Sequence, residues 1–323
     1  MNRYLQCALA AILILLIGSC KKDLLQLQKV QTLNSHTTSR LNRIKFLNDS
    51  VVLIAGGEKF GDAEVLRSVD NGYTWVHNII PNVGVGMYGL GVSPSGYIYL
   101  CGFYGNTLFS KDHGISWVHN KISIDFAYYV DIAFPTDEKG IVISTILQRN
   151  GSICQIDTNL QVKDTFNYSF GLNDIYMPNA LTGYVLGYGA VLKTKDGGTT
   201  WNFLDINGDN FNGICAIDDN NLWICGYSGS VFHTSDAGAH WERLRNGSDI
   251  TLPAYRLLSI VFKDSQNGWA TCDNGKLIHT DDGGLHWEEY DQFTTSALRS
   301  IAICPNGDLL VTGDNGVLFR VIP

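Results

Sequence analysis

Five acidic residues recur in one setting along this chain of 323 residues: Asp70 in RSVDNGYTW, Asp112 in FSKDHGISW, Asp196 in KTKDGGTTW, Asp236 in HTSDAGAHW and Asp282 in HTDDGGLHW. Carboxylates of this kind, two of them close to a histidine (His240 and His286), could ligate a metal or serve as general acid and base. Either chemistry needs several such groups around one point. Five equivalent acids in five copies of one unit are instead spread apart by the repeat. The residue types also fit a structural part: an aspartate in a tight turn accepts hydrogen bonds from backbone N–H groups that the turn leaves unpaired, and glycine takes the left-handed conformation. The tryptophans that end the copies, Trp75, Trp117, Trp201, Trp241 and Trp287, then pack between neighbouring units as apolar wedges.

The elements that must carry these turns follow from the spacing. The tryptophans lie 42, 84, 40 and 46 residues apart, and the double interval holds a degenerate copy, SICQIDTNLQVKDTF from Ser152. A period of about 40 to 45 residues with several short strands per period is the signature of propeller blades. No sustained 3.6-residue pattern supports helical repeats. The expected fold is all-β: a seven-bladed β-propeller of four-stranded antiparallel blades, with six or eight blades as the alternatives. The blades are expected near 44–80, 87–120, 126–168, 172–206, 211–245, 256–291 and from 297. The last one stops after its third strand, and LLQLQKVQTL near the N-terminus can supply the fourth and so remove the exposed edges.

The boxes match the Asp-box, or BNR, repeat, and the chain most resembles the photosystem II stability and assembly factor-like propellers, as GYSGSVFHTSDAGAHW and CDNGKLIHTDDGGLHW illustrate. The resemblance covers roughly 44–323. It implies the propeller and a non-catalytic binding or assembly role, chaperone-like or scaffolding. The alternative is a sialidase-like or other glycoside hydrolase or carbohydrate-binding propeller. A sialidase needs an Arg-Ile-Pro entry motif and three arginines converging on a carboxylate; here Arg43-Ile44 is followed by Lys45. A hydrolase reading would require Glu58, Asp273 or Asp314 in a deep pocket with converging arginines.

A ligand is expected on the face opposite the repeated turns, where the loops between second and third strands and between blades lie, or in the central channel. Those loops carry Phe60, Phe103, Tyr104, Arg149, Tyr188 and Tyr227, and the strand starts near the channel add Tyr88, Tyr128, Asn212, Tyr255, Arg256 and Arg299. Arg256 and Arg299 fall on one strand face of adjacent blades. They form either a cationic spot for an acidic peptide, a glycan carboxylate or a phosphate, or two pairs with local carboxylates such as Asp291 or Asp273.

The first twenty residues, MNRYLQCALAAILILLIGSC, combine Arg3, an apolar run and small residues before a cysteine, and read as an export signal over 1–19. Ile17-Gly18-Ser19-Cys20 resembles a bacterial lipobox, which makes Cys20 the lipid-bearing first residue, with 20–43 as tether and closing strand. The expected address is the bacterial cell envelope, at the outer membrane or cell surface, because Lys21 and Lys22 differ from the aspartate associated with inner-membrane retention. The expected partners are an envelope protein or glycan and, through the lipid, a membrane, with the propeller itself a monomer. The formal net charge of -8 disfavours nucleic acid, which needs clustered Lys and Arg. Six cysteines remain in strand-like runs, where Cys215 and Cys225 could pair across a hairpin. Asp205, Asn207 and Asp209 begin a calcium-loop spacing without its bidentate glutamate. No zinc spacing, phosphate-binding loop or dinucleotide fingerprint occurs, and no metal or cofactor is expected.

Overall fold

The second strand of nearly every period is a run of apolar and small residues, such as VLIAG, IYLCG, GYVLG, LWICG, GWATC and LLVTG, and every residue of these six strands is buried. A strand that alternates apolar and polar residues covers one face; these are covered on both. In the computed structural model, which describes residues 24–122, 128–146 and 149–323, seven antiparallel four-stranded sheets follow one another along the chain and provide that double cover. They span 41–80, 87–121, 128–168, 172–203, 211–245 and 257–289 (blades 1 to 6), and 298–322 together with 29–32 (blade 7). The chain is an all-β, seven-bladed propeller. The proposed signal segment and Cys20 lie outside the described residues.

Blade 7 is completed by the N-terminal strand Lys29–Thr32, which pairs antiparallel with Leu318–Ile322 in the register Lys29↔Ile322 to Thr32↔Phe319. Leu25 adds a parallel bridge to Tyr290, so the same segment is tied to blade 6 as well. Neighbouring blades meet mainly through side chains, with isolated backbone bridges at Phe103–Tyr128 and Tyr188–Asn210. Tyr99 stacks on Phe134 with centroids 3.6 Å apart and Trp223 on Phe262 at 4.0 Å, each pair joining a second strand to the end of the next blade's first strand. Such stacks contribute roughly 0.5 to 1.5 kcal/mol beyond their buried area.

The repeated turns between third and fourth strands have one hydrogen-bond pattern. In blade 1, Ser68 Oγ donates to Asp70 at 2.6 Å and accepts from Gly72 N–H at 2.8 Å, while Asp70 accepts from the N–H of Tyr73 and Thr74 and from the Thr74 hydroxyl. Asp112, Asp196, Asp236 and Asp282 repeat it, with His240 and His286 in the Thr74 place. Two successive residues are left-handed, for example Asn71 (φ 61) and Gly72 (φ 81). The second must be glycine, because a Cβ at Gly72 would come within 2.5 Å of Leu310 on the preceding blade. Trp75 and Trp287 are buried and donate to Gly72 O and Gly284 O; Trp117, Trp201 and Trp241 are half-buried, with indole N–H groups that find no acceptor among the described residues. Blade 3 lacks glycine and tryptophan there, and Asp157 caps a shorter turn by accepting from Asn159 and Gln161 N–H.

The six cysteines are free thiols. Cys215 stands opposite Trp223 and Cys225 opposite Gly213, so the hairpin register keeps the two apart, and burial raises both thiols, Cys215 to about 12.

The turn aspartates set an acid limit on stability. At Asp70 burial raises the carboxyl, but hydrogen bonds from Ser68 and Thr74 outweigh it and hold it at about 2; at Asp196 the bonds from Thr200 and Thr194 have the same result. Folded values below the ordinary 3.8 mean that this stabilisation is present above 3.8 and is lost as pH falls toward about 2. The melting temperature is expected to drop across that window. In an Asp70→Asn, Asp196→Asn protein it should be lower at neutral pH and fall less steeply between pH 4 and 2; an unchanged slope would contradict the assignment.

Candidate functional site

The first strand of each blade has one edge without a ladder partner, and these edges face the channel. Side chains supply what the ladder cannot. Asp131 in blade 3 accepts the N–H of Ile175 in blade 4 at 3.4 Å, Asp174 in blade 4 accepts that of Ile214 in blade 5 at 3.2 Å, and Ser300 in blade 7 accepts that of Ile44 in blade 1 at 3.3 Å. One position earlier, Asn42, Asn173 and Asn212 donate to the carbonyls of Met87, Phe211 and Leu257 that start the next blade's first strand.

Arg43 spans the channel from blade 1 and reaches both Asp131 (3.0 Å) and Asp174 (3.1 Å). Burial opposes its charge, yet the two carboxylates outweigh burial and raise the guanidinium above its usual range. For Asp174 burial is the larger influence, Asp131 adds to it, and the carboxyl rises despite Arg43. The triad lies against a cavity of about 280 Å³ toward the repeated turns, lined also by Lys45, Phe134 and Met177. Lys45 is reached by water within the channel, but protein encloses it, and that enclosure lowers its ammonium. The arginine that resembled a substrate-carboxylate anchor is therefore an internal tie.

On the loop face a second cavity, of about 810 Å³, opens over blades 4 to 7 and is lined by Asn173, Tyr188, Asp209, Asn210, Asn212, Tyr227, Ser228, Leu258 and Arg299. Its one carboxylate, Asp209, is buried and accepts the N–H groups of Asn210, Ser228 and Ser230; it serves as a loop clamp where the sequence shows a calcium-like spacing. Tyr188 is 57% exposed and Tyr227 37%.

Arg256 and Arg299 do not form an open cationic spot. Arg299 makes two 2.8 Å bonds to Asp314, which Arg40 also approaches at 3.3 Å, and Arg256 lies 3.4 Å from Asp273 and over the Tyr227 ring at 5.6 Å. The physical reason is proximity within each blade: Asp273 and Asp314 follow the second strands that pair with the arginines' own strands. The bond to Asp314 raises Arg299, and at Asp314 burial is outweighed by that same bond, which lowers the carboxyl. Glu58 accepts the Arg40 N–H. None of Glu58, Asp273 and Asp314 lines the 810 Å³ cavity.

Tyr88, Phe103, Tyr104 and Tyr128 gather on the opposite part of the rim, whereas Tyr255 does not face the channel: it is buried among the apolar side chains between blades 5 and 6. Phe103 stands 4.6 Å from Tyr88, 4.5 Å from Tyr128 and 6.4 Å from Tyr104, ring centre to ring centre. Sequence reasoning missed the channel triad and, in the asparagine row, Asn42 and Asn173; it named Asn212 as a strand start near the channel and Asp209 for its spacing, without the clamp role. The asparagines have a signal in retrospect, since Asn42, Asn173 and Asn212 occupy the same place in their periods.

A family described as photosynthesis system II assembly factor YCF48 matches residues 159–253, from the end of blade 3 through blade 5. Among solved structures, YCF48 from Cyanidioschyzon merolae is 16% identical over 91% of this chain and 98% of its own, with a TM-score of 0.69. YCF48 bound to D1 peptide is 15% identical over 93% and 100%, with a TM-score of 0.69. A virginiamycin B lyase from Staphylococcus aureus, solved with quinupristin, is 13% identical over 91% and 99%, with a TM-score of 0.73. At these identities the likeness concerns the fold. No curated protein matches the chain.

The channel triad yields a pH-dependent expectation. Arg43→Met leaves two carboxylates in the channel without their cation, a loss of about 3 to 5 kcal/mol for a broken buried pair. Asp174, already raised by burial, loses the cation that opposes the rise, so the deficit is greatest at neutral pH and shrinks as its carboxyl protonates on acidification. Denaturant unfolding at pH 7.5 and 5 measures this; equal losses at both would contradict it.

Proposed function

We propose that this chain is a non-catalytic binding and assembly propeller that holds an extended segment of a partner protein on its loop face. The observation that carries this reading is the 810 Å³ cavity and its amide lining. Asn173 Nδ2 is bonded to Asn210, Phe211 and Asn212, but its Oδ1, and the Nδ2 of Asn210, bond no described residue. A free acceptor beside a free donor complements a peptide group. The cavity's two charged residues are already engaged by Asp314 and by backbone N–H groups, so a bare anion meets no unpaired cation. The YCF48 structure with D1 peptide supports the reading as a case in which a propeller of this fold holds a peptide.

The same reading makes the chain an exported lipoprotein of a bacterial envelope, anchored through Cys20. What supports it is the residue pattern before Cys20. Leu25 is five residues on from Cys20, a reach of at most about 18 Å, so the anchor would hold the rim near Leu25 and Tyr290 close to the membrane surface.

The test is affinity capture by the full chain from cells of the source organism. A Tyr188→Ala, Tyr227→Ala variant probes the loop face, and Ile115→Ser, Leu285→Ser, on exposed residues of the repeated turns, probes the other. A protein partner retained by the parent and the second variant and lost from the first is the expected result; loss from the second alone would overturn the face assignment. For the anchor, Cys20→Ser is expected to abolish incorporation of labelled palmitate and release the chain from the membrane fraction. Labelling that persists would contradict it.

A further inference from the structure

In blade 2 the loop between second and third strands is a two-residue turn in which Tyr104 (φ 56) and Gly105 (φ 75) are both left-handed, closed by Asn106 N–H donating to Phe103 O at 3.2 Å. Blade 7 builds the same turn from Asn315 (φ 60) and Gly316 (φ 68), closed by Val317 N–H on Asp314 O at 3.3 Å. Asparagine is the residue this backbone favours, since its short polar side chain tolerates the left-handed region. A bulky ring there is disfavoured, and among the described residues Tyr104 is the one Phe, Tyr or Trp with positive φ. A locally unfavourable residue at this half-buried loop tip points to selection for something other than the turn.

What Tyr104 adds is a ring. It stands 5.8 Å from Tyr128 and 6.4 Å from Phe103, on which Tyr88 also packs, and completes an aromatic bowl on the loop face of blades 1 to 3. The bowl already holds a cation. Lys59 Nζ lies 5.0 Å from the Phe103 and Tyr128 ring centres and 5.2 Å from that of Phe60, and Lys59 makes no hydrogen bond or ion pair with any described residue. Its ammonium is positioned by ring faces, the arrangement by which aromatic cages hold lysine and quaternary ammonium groups. Lys59 belongs to an exposed stretch, Glu58 to Phe60, and can leave the bowl without disturbing a buried group.

We propose that this bowl is a cation-binding cage that receives a lysine or arginine side chain of the partner segment, with Lys59 as a resident occupant that the incoming side chain displaces. The class of partner rests on the protein-binding reading above; the cage rests on its own geometry. A basic segment also suits a chain of formal net charge -8, toward which it is drawn before contact. The segment would lie across the channel mouth, its backbone over the asparagine-lined cavity and its basic side chain in the bowl.

The probe is tetramethylammonium, titrated into the full chain and followed by the upfield ring-current shift of its methyl protons. Lys59→Ala, which removes the resident cation, is expected to bind roughly fivefold more tightly than the parent, the factor corresponding to one exposed cation–ring contact. Adding Tyr104→Asn to Lys59→Ala should abolish most of that gain, while Tyr104→Asn alone should raise the melting temperature, because asparagine suits the turn. The proposal is overturned if Lys59→Ala shows no saturable shift, if the Tyr104 change leaves binding intact, or if Tyr104→Asn lowers the melting temperature and so reveals a packing role. The assay needs no partner. Its failure leaves capture on the loop face standing, whereas a cage that binds the probe in a chain that captures no protein removes the peptide reading instead.

Discussion

Seven sheets joined to one another by side chains and a few isolated backbone hydrogen bonds form a ring only if the last is locked to the first, and here that lock is the pairing of Lys29–Thr32 with Leu318–Ile322. Without it, the third strand of blade 7 is an exposed edge and blades 6 and 7 lose the segment that holds them together through Leu25 and Tyr290. Arg320 is the second part of the lock: buried on the closing sheet, it bonds Asp308 within blade 7 and the Asn71 carbonyl of blade 1, with its guanidinium over the Tyr73 ring. Backbone hydrogen bonds and a buried cation thus meet where the chain's two ends do. In a closed ring every blade is held between two neighbours, so the loops on its face hold fixed distances from one another.

The two faces divide the work by how fully their polar groups are used. On one, each aspartate of the repeated turns is consumed by its own turn, and its glycine by contact with the preceding blade. On the other, the arginines are neutralised by Asp273 and Asp314, but among the described residues an asparagine amide and an asparagine carbonyl in the cavity find no partner, and a lysine is held by rings alone. Unused capacity of that kind, on loops of a rigid scaffold, is what a binding surface requires.

The sequence made the fold legible because one local unit recurs, and its residue types, Asp, Gly and Trp at fixed offsets, have a turn geometry of their own. The missing fourth strand of blade 7 announced the closing strand in the same way. The site was less legible. Arg43 meets Asp131 and Asp174 across 88 and 131 positions of chain, a juxtaposition created by the ring and by nothing local. The arginine pair on adjacent blades was visible, yet its charge is cancelled by Asp273 and Asp314 just past the second strands, partners that become plain once the strand pairing is known. Asp209 looked like a cation ligand because alternate acidic and amide residues suit both a calcium loop and a chain of turn caps, and only its bonds to Ser228 and Ser230 decide between them.

The most direct test of loop-face binding is amide hydrogen exchange, read by mass spectrometry, on the free chain and on the chain with its captured partner. Slower exchange on binding at 102–106, 187–189, 208–212 and 226–230, with the repeated turns at 68–75 and 110–117 unchanged, is the result this account predicts. Protection confined to those turns, with the loop face unaltered, would contradict it.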